Sequence, residues 1–243
     1  MSAGPSAPRS HSADACRKGF RLRLVIFDLD GTLIDSVALI VETVSNAFRA
    51  VNEPVPDERM IRSISGITAR DAMAILAPDA SAQRVEEITA SYRSHYLAGA
   101  GLAREPMFVG ALDALDRLQQ DADTILAVAT GKGHQGAVTL LELHGIVGRF
   151  HSIETPTHNR GKPDPQMIET AMEKAGAQRA NTVMIGDTVH DMRMAKAAGV
   201  GAIGVAWGYH EKLELTEAGA DVVIERFDEL DAAVARLTGG VDA

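Results

Sequence analysis

Residues 22–32 read LRLVIFDLDGT. The run 22–27 is apolar apart from Arg23, has basic neighbours, and stops at Asp28. A run so short and so largely apolar reads as a strand covered on both faces, as in the middle of a parallel sheet. Asp28 and Asp30 follow, two positions apart. On extended backbone their side chains point to the same side. Gly31 supplies the freedom a tight turn needs. Paired carboxylates at a strand end are either plain turn formers or the rim of a site, and the rest of the chain has to decide.

The same pattern recurs further along the chain. TILAVA (124–129) is a second buried strand and ends at Thr130–Gly131; 182–185 is another and ends at Gly186–Asp187. A weak strand is expected near 150–154, and further strands at 201–205 and 220–224. Helical spacing marks 110–120, where Leu112, Leu115 and Leu118 share a side, and also 135–143, 165–175, 191–198 and 228–237. Alternating strands and helices predict an α/β fold, a Rossmann-like doubly wound parallel sheet. Between 36 and 103 only helical signals occur. Ile40, Val44 and Phe48 mark one helix; Ile61 and Ile64, then Ala72, Ile75 and Leu76, mark two short ones; Val85, Ile88, Tyr92 and Tyr96 mark a longer one. The expected organisation is a disordered tail (1–20), a core (21–35 and 104–243) and an all-helical insert (36–103).

Composition limits the function. The chain has 243 residues, 46% hydrophobic and 23% charged, close to the globular average. Cys16 is the single cysteine, which excludes a disulfide scaffold and a four-thiolate zinc site. The 24 Lys+Arg against 33 Asp+Glu give a net charge of -9, which speaks against nucleic acid as a partner. A small anionic ligand in a locally positive pocket stays compatible with that charge. No apolar run reaches the ~18 residues of a membrane span. The start, MSAGPSAPRSHSADACRKGF, has no apolar segment of the secretory kind. These features lead us to expect a cytoplasmic protein, monomer or homodimer, with no membrane partner.

In open parallel sheets, ligands bind at the carboxyl ends of the strands. The first strand delivers Asp28 and Asp30 there, the second Thr130 and Gly131, and a later one Asp187 with Asp191 a turn on; a polar loop adds Lys162. Each has a plain explanation alone: turn residues, a helix entry, a helix cap, an exposed loop lysine. Their conjunction on one rim is harder to explain plainly. Two neighbouring carboxylates repel unless a cation compensates, and magnesium suits hard oxygen ligands. Carboxylates, a metal and a lysine together suit phosphoryl transfer.

The segments FDLDGTLIDS (27–36), AVATGK (127–132), GKPDP (161–165) and GDTVHDMRMAKAAGV (186–200) resemble the four motifs of the haloacid dehalogenase-like hydrolase superfamily, most of all its phosphoglycolate-phosphatase-like members. The resemblance covers roughly residues 22–226. It implies a helical cap inserted after the first motif, in the place of 36–103. It implies Asp28 as a nucleophile forming an aspartyl-phosphate, and Asp30 as general acid and base whose backbone carbonyl binds Mg2+. Thr130 and Gly131 would hold the phosphate, Lys162 would neutralise nucleophile and phosphate, and Asp187 would ligate Mg2+. Asp191 would act through water or Lys162, or ligate directly. Gly31 and Thr32 would shape the turn. An aspartate at position 30 argues against dehalogenation. The absence of lysine between Lys18 and Lys132 argues against a Schiff-base phosphonatase. The form GDTVHD argues against a phosphoglucomutase. In the turn SISGITARD (63–71), Arg70 is a candidate to grip a substrate carboxylate, against a surface arginine beside a Thr68–Asp71 capping pair. His134 and His158 fall near the rim without a metal-binding pattern. The implied function is a Mg2+-dependent phosphatase acting on a small phosphorylated metabolite, with 2-phosphoglycolate the leading candidate. The alternatives are an inorganic pyrophosphatase, a nucleotide 5′-phosphatase, or a non-catalytic phosphate-ligand binding protein.

Overall fold

The apolar run at 22–27 lies at the centre of a six-stranded sheet. The computed structural model describes residues 22–98 and 105–239. Expectations for 1–20 and 99–103 therefore lie outside the described residues. The strands are β1 (Arg23–Phe27), β2 (Thr124–Ala129), β3 (Ser152–Glu154), β4 (Thr182–Gly186), β5 (Gly201–Val205) and β6 (Val222–Ile224), in the spatial order β3-β2-β1-β4-β5-β6. Every pairing is parallel, and Phe27 sits between Val128 and Ile185. Strand order reverses between β1 and β4, which is where an open parallel sheet leaves its crevice.

Alternation along β1 divides the core. Val25 and Phe27 pack with α5 (Ala111–Gln120), α6 (His134–Leu143) and α10 (Leu230–Leu237). Leu24 and Ile26 pack with α7 (Gln166–Ala175), α8 (Val189–Ala198) and α9 (Lys212–Glu217) on the other face. All four side chains are fully buried. Burial of each contributes about 1.5–3 kcal/mol, which explains why no polar residue interrupts 24–27.

Four helices fill the insert: α1 (Val37–Ala50), α2 (Glu58–Ser63), α3 (Ala69–Leu76) and α4 (Ala82–Ala98). Asp57 caps α2 by accepting from the Met60 amide, and Thr68 caps α3 by accepting from Asp71. Ile40, Val44, Phe48, Ile61, Met73 and Ile88 form a separate hydrophobic cluster within these helices. The two passages between insert and sheet run antiparallel through Ile34 and Met107. The Asp35 amide donates to the Pro106 carbonyl at 2.9 Å, and the Phe108 amide to the Leu33 carbonyl at 3.0 Å.

Two inner-face expectations are corrected. Ile75 is 53% exposed while Met73 is buried, because Ala72, Met73 and Leu76 form the inward face of α3. Leu112 is likewise exposed, and Ala111, Ala114, Leu115 and Leu118 face the sheet. In both helices small residues allow close packing, which a pattern of large side chains does not reveal. Among the described residues no helix is long and apolar enough to cross a membrane.

Candidate active site

The sheet carries Asp28 off the end of β1 and Asp187 off the end of β4, side by side at the crevice. The turn after β1 is tight: the amides of Thr32, Leu33 and Ile34 all donate to the Leu29 carbonyl. Gly31 has φ +77, and a Cβ there would lie 2.2 Å from Asp187 Oδ2. Only glycine lets this turn press so closely on Asp187. Thr32 then donates to Asp187 Oδ1 at 2.8 Å, and the Tyr209 amide to Asp187 Oδ2 at 2.8 Å.

Lys162 arrives from the loop after β3, its side chain wholly buried. Its Nζ lies 2.7 Å from Asp28 Oδ2 and 2.7 Å from Asp191 Oδ1. Asp191 is aimed by the start of α8, where it forms a capping box with Thr188. Its Oδ2 accepts from the Thr188 hydroxyl at 2.6 Å and amide at 3.1 Å, which leaves Oδ1 for the lysine. Asp28 Oδ1 accepts from the Leu29 amide at 2.7 Å.

The charges do not balance. Asp28, Asp187 and Asp191 offer oxygens all within 4.8 Å of one another, and each residue is buried. Burial pushes the Asp28 carboxyl up to about 7; Lys162 opposes the rise and Asp191 adds to it. Asp187 is also held well above the carboxylate range, by burial and then by Asp191 and Asp28. Burial disfavours the Lys162 ammonium, yet Asp191 and Asp28 outweigh it and hold its pKa above the ordinary value. Three buried carboxylates against one ammonium suit a divalent cation with oxygen ligands. Among the described residues no hydrogen bond is made to the Asp30 backbone carbonyl, so that oxygen is free to serve with them.

Asp30 is in contact with Lys132, which carries no role in the reading of the motifs. Its Oδ2 lies 3.1 Å from Lys132 Nζ, and its Oδ1 is buried without a hydrogen-bond partner. Lys132 also reaches the Tyr96 hydroxyl and stands 4.1 Å from that ring's centroid. Tyr96 donates to buried Glu105 at 3.3 Å. Burial, then Asp30, push Glu105 up to about 7 against the pull of Lys132. Burial also opposes the Lys132 charge, but Asp30 and Glu105 prevail and its pKa is raised. Lys132 follows Thr130–Gly131 directly; nothing in the sequence shows that it meets Asp30, about a hundred residues away.

Thr130 is buried at the end of β2, its hydroxyl accepting from the Lys132 amide at 3.3 Å. Gly131 lies under the α2–α3 loop: a Cβ there would be 2.6 Å from the Gly66 carbonyl oxygen and 2.7 Å from that of Ile67. A Cβ on Gly66 would meet Thr188, and one on Gly161 would meet Thr68. The insert therefore rests on three core loops and covers the carboxylates. Arg70 is not brought to the site. It points along the insert's surface to Glu86, Nε to Oε1 at 2.5 Å, with both side chains more than half exposed. His134 and His158 stand edge to face at 5.3 Å, and His134 lines the cavity beneath the insert.

A buried carboxylate cluster at the switch point, closed by a helical insert, narrows the protein to a class of α/β hydrolases. Residues 25–205 match the family model described as haloacid dehalogenase-like hydrolase, and the chain belongs to that family. It is 38% identical to "Probable phosphatase IndB" of Dickeya dadantii, over 88% of this chain and 94% of that protein. It is 32% identical to the "Phosphoglycolate phosphatase" of Agrobacterium fabrum, over 87% and 91%. Among solved structures, a hydrolase from Pseudomonas syringae superposes with a TM-score of 0.79 at 27% identity, covering 88% of this chain and 99% of that one.

Proposed function

We propose that the chain is a Mg2+-dependent phosphatase that hydrolyses an organic phosphomonoester through an aspartyl-phosphate on Asp28. The coarse part, a phosphatase of this family, is carried by the family match and its relatives. The finer part rests on one observation: Lys162 Nζ is shared at 2.7 Å between Asp28 and Asp191, beside Asp187. Asp28, Asp187 and the Asp30 carbonyl would hold the magnesium ion. Asp191, with one oxygen committed to Thr188, positions Lys162. The bound ion supplies positive charge against the phosphate dianion and the carboxylates.

The chain's own residues then share the work. Lys162 opposes the protonation of Asp28 that burial favours, and ionisation would be complete with the cation bound. The Asp28 oxygen forms a bond to phosphorus as the ester P–O bond breaks, and Asp30 gives its proton to the departing oxygen. Asp30 next takes a proton from water, whose oxygen attacks the same phosphorus. The acyl–phosphate P–O bond breaks, phosphate leaves, and Asp28 returns as carboxylate. Thr130 and the Gly131 amide hold the phosphoryl oxygens. Lys132 fixes the rotamer of Asp30 for both transfers. With the insert seated, the carboxylates are closed to solvent, so the cap formed by 36–103 swings on the paired passages at Ile34 and Met107 to admit substrate.

The test is phosphate release from a panel of esters with Mg2+, with EDTA, and with Asp28→Asn. Release with Mg2+ alone, lost at least about 10⁴-fold in the variant, is the expected result. Normal turnover by Asp28→Asn refutes the nucleophile. Release in rigorously metal-free buffer refutes the ion's role. Pyrophosphate, nucleotides and 2-phosphoglycolate belong in the panel; the Agrobacterium relative's name supports the last. A folded protein that releases phosphate from none of them is a binding protein.

A further inference from the structure

The cavity beneath the insert has a volume of about 490 Å³ and begins at Asp30, Gly131 and Lys132. Asp30 is the proposed donor to the leaving oxygen, so this space is where the alcohol part of the ester must lie. A volume in the ~300–1,000 Å³ range is that of sites enclosing a whole organic ligand. At about 30 Å³ per water-sized group, the roughly five heavy atoms of glycolate would fill less than a third of it.

The walls are mostly apolar: Ile40 and Val44 from α1, Ile67 from the loop, Met73 from α3, Tyr92 and Tyr96 from α4. The two tyrosine rings stack at 6.1 Å with 25° between their planes. Burial raises both phenol pKa values, so the rings are neutral. The cations near Asp30 are already engaged. Lys132 serves Asp30 and Tyr96, and Arg70 is turned outward to Glu86. Arg93 lines the cavity too but is itself solvent-exposed. A carboxylate two atoms from the ester oxygen would thus lie at the inner end beside Asp30, where Lys132 is already shared between Asp30 and Tyr96, which is costly.

Resting on the phosphatase reading above, we infer that the preferred substrate is the phosphomonoester of an uncharged alcohol with a sizeable apolar or aromatic body, and that 2-phosphoglycolate is a poor substrate. The body fills the space between α1, α3 and the stacked tyrosines. Lys132 and Asp30 meet the ester oxygen at its inner end.

The experiment compares kcat/KM for benzyl phosphate, methyl phosphate and 2-phosphoglycolate with Mg2+, using acetyl phosphate as a small activated control. Burying a ring's worth of apolar area at ~25 cal/mol per Å² corresponds to about 100-fold. Benzyl phosphate should therefore exceed both methyl phosphate and 2-phosphoglycolate by about that factor. Ala69→Phe places a ring in the cavity from a half-buried helix start and should lower the benzyl-to-methyl ratio at least tenfold. Equal or better turnover of 2-phosphoglycolate overturns the inference and leaves the phosphatase reading intact. An unchanged ratio in a folded Ala69→Phe protein also overturns it. Failure to release phosphate even from acetyl phosphate overturns the phosphatase reading, and this inference with it.

Discussion

Asp28 should make the metal-free protein lose stability as pH rises. Burial lifts this carboxyl from its ordinary 3.8 to about 7, with Lys162 opposing and Asp191 adding. The folded state therefore binds the Asp28 proton more tightly than the unfolded chain does. That contribution is fully present below 3.8 and is lost as pH climbs through about 7. Each tenfold in proton affinity is worth about 1.4 kcal/mol, so about 3 kcal/mol should disappear between about pH 5 and pH 8. Asp28→Asn cannot titrate there, so the difference between the two proteins reads Asp28 together with its pull on Asp187 and Lys162. The assay is urea unfolding in EDTA at fixed ionic strength, for both proteins across this range. Trp207, the single tryptophan, is a built-in reporter: it packs against Phe227 at 4.5 Å and donates to the Thr32 carbonyl beside the site. Stability of the wild type relative to the variant should fall by about 3 kcal/mol as pH rises. Saturating Mg2+ should flatten the fall, because the cation favours the ionised carboxylates. A difference that is flat, or that grows with pH, would show that Asp28 is not held protonated by its surroundings and would undo the charge argument for the site.

Three further outcomes follow from the contacts. Lys132→Met should cut kcat for alkyl phosphates, whose leaving oxygen needs the Asp30 proton, at least about tenfold more than kcat for 4-nitrophenyl phosphate; equal losses would mean that Lys132 only supports the fold. Gly131→Ala should lower kcat/KM about 10- to 100-fold with little change in the unfolding midpoint, since the new Cβ would meet the Gly66 and Ile67 carbonyls and hold the insert off the core; wild-type kinetics would show that the close seating has no part in turnover. Arg70→Ala should leave KM for charged and neutral esters within about twofold, because Arg70 is turned to Glu86 and lines no part of the cavity, and its exposed pair is worth only ~0–1 kcal/mol to the fold; a selective rise for carboxylated esters would restore Arg70 to the binding site.

The strand ends were legible because their signals are local. An apolar run that stops at a carboxylate or a Thr–Gly pair shows both the strand and its rim, and parallel pairing brings the rims together without further information. The start of α8 was blurred by two residues, because the Thr188 cap sets the helix going at Val189. Side-chain meetings across the fold left no such trace. Nothing in the order of residues says that Lys132 turns toward Asp30, or that Arg70 at the start of α3 turns away toward α4. Tyr92 and Tyr96 show a further gap. Their spacing marks an inward helix face, but periodicity cannot distinguish a face packed on neighbours from one that walls a cavity.

The two lysines divide the site into unequal halves. On the phosphoryl side, Lys162 faces Asp28, Asp187 and Asp191, and the deficit appears as carboxyls pushed toward protonation. On the alcohol side, Lys132 faces Asp30 and Glu105, and with Glu105 lifted to about 7 that half stands near neutrality. Left as it is, the first half would protonate the nucleophile it needs and repel a phosphate dianion. A divalent cation corrects both faults together, and so substrate and cation favour each other's binding. The second half needs no such correction, which is why it can be lined with apolar side chains and still retain a proton carrier at its inner end. Burying unpaired carboxylates costs a fold several kcal/mol. The sheet bears that cost where β1 and β4 part, with a lysine, a helix cap and a glycine turn each holding one carboxylate in place.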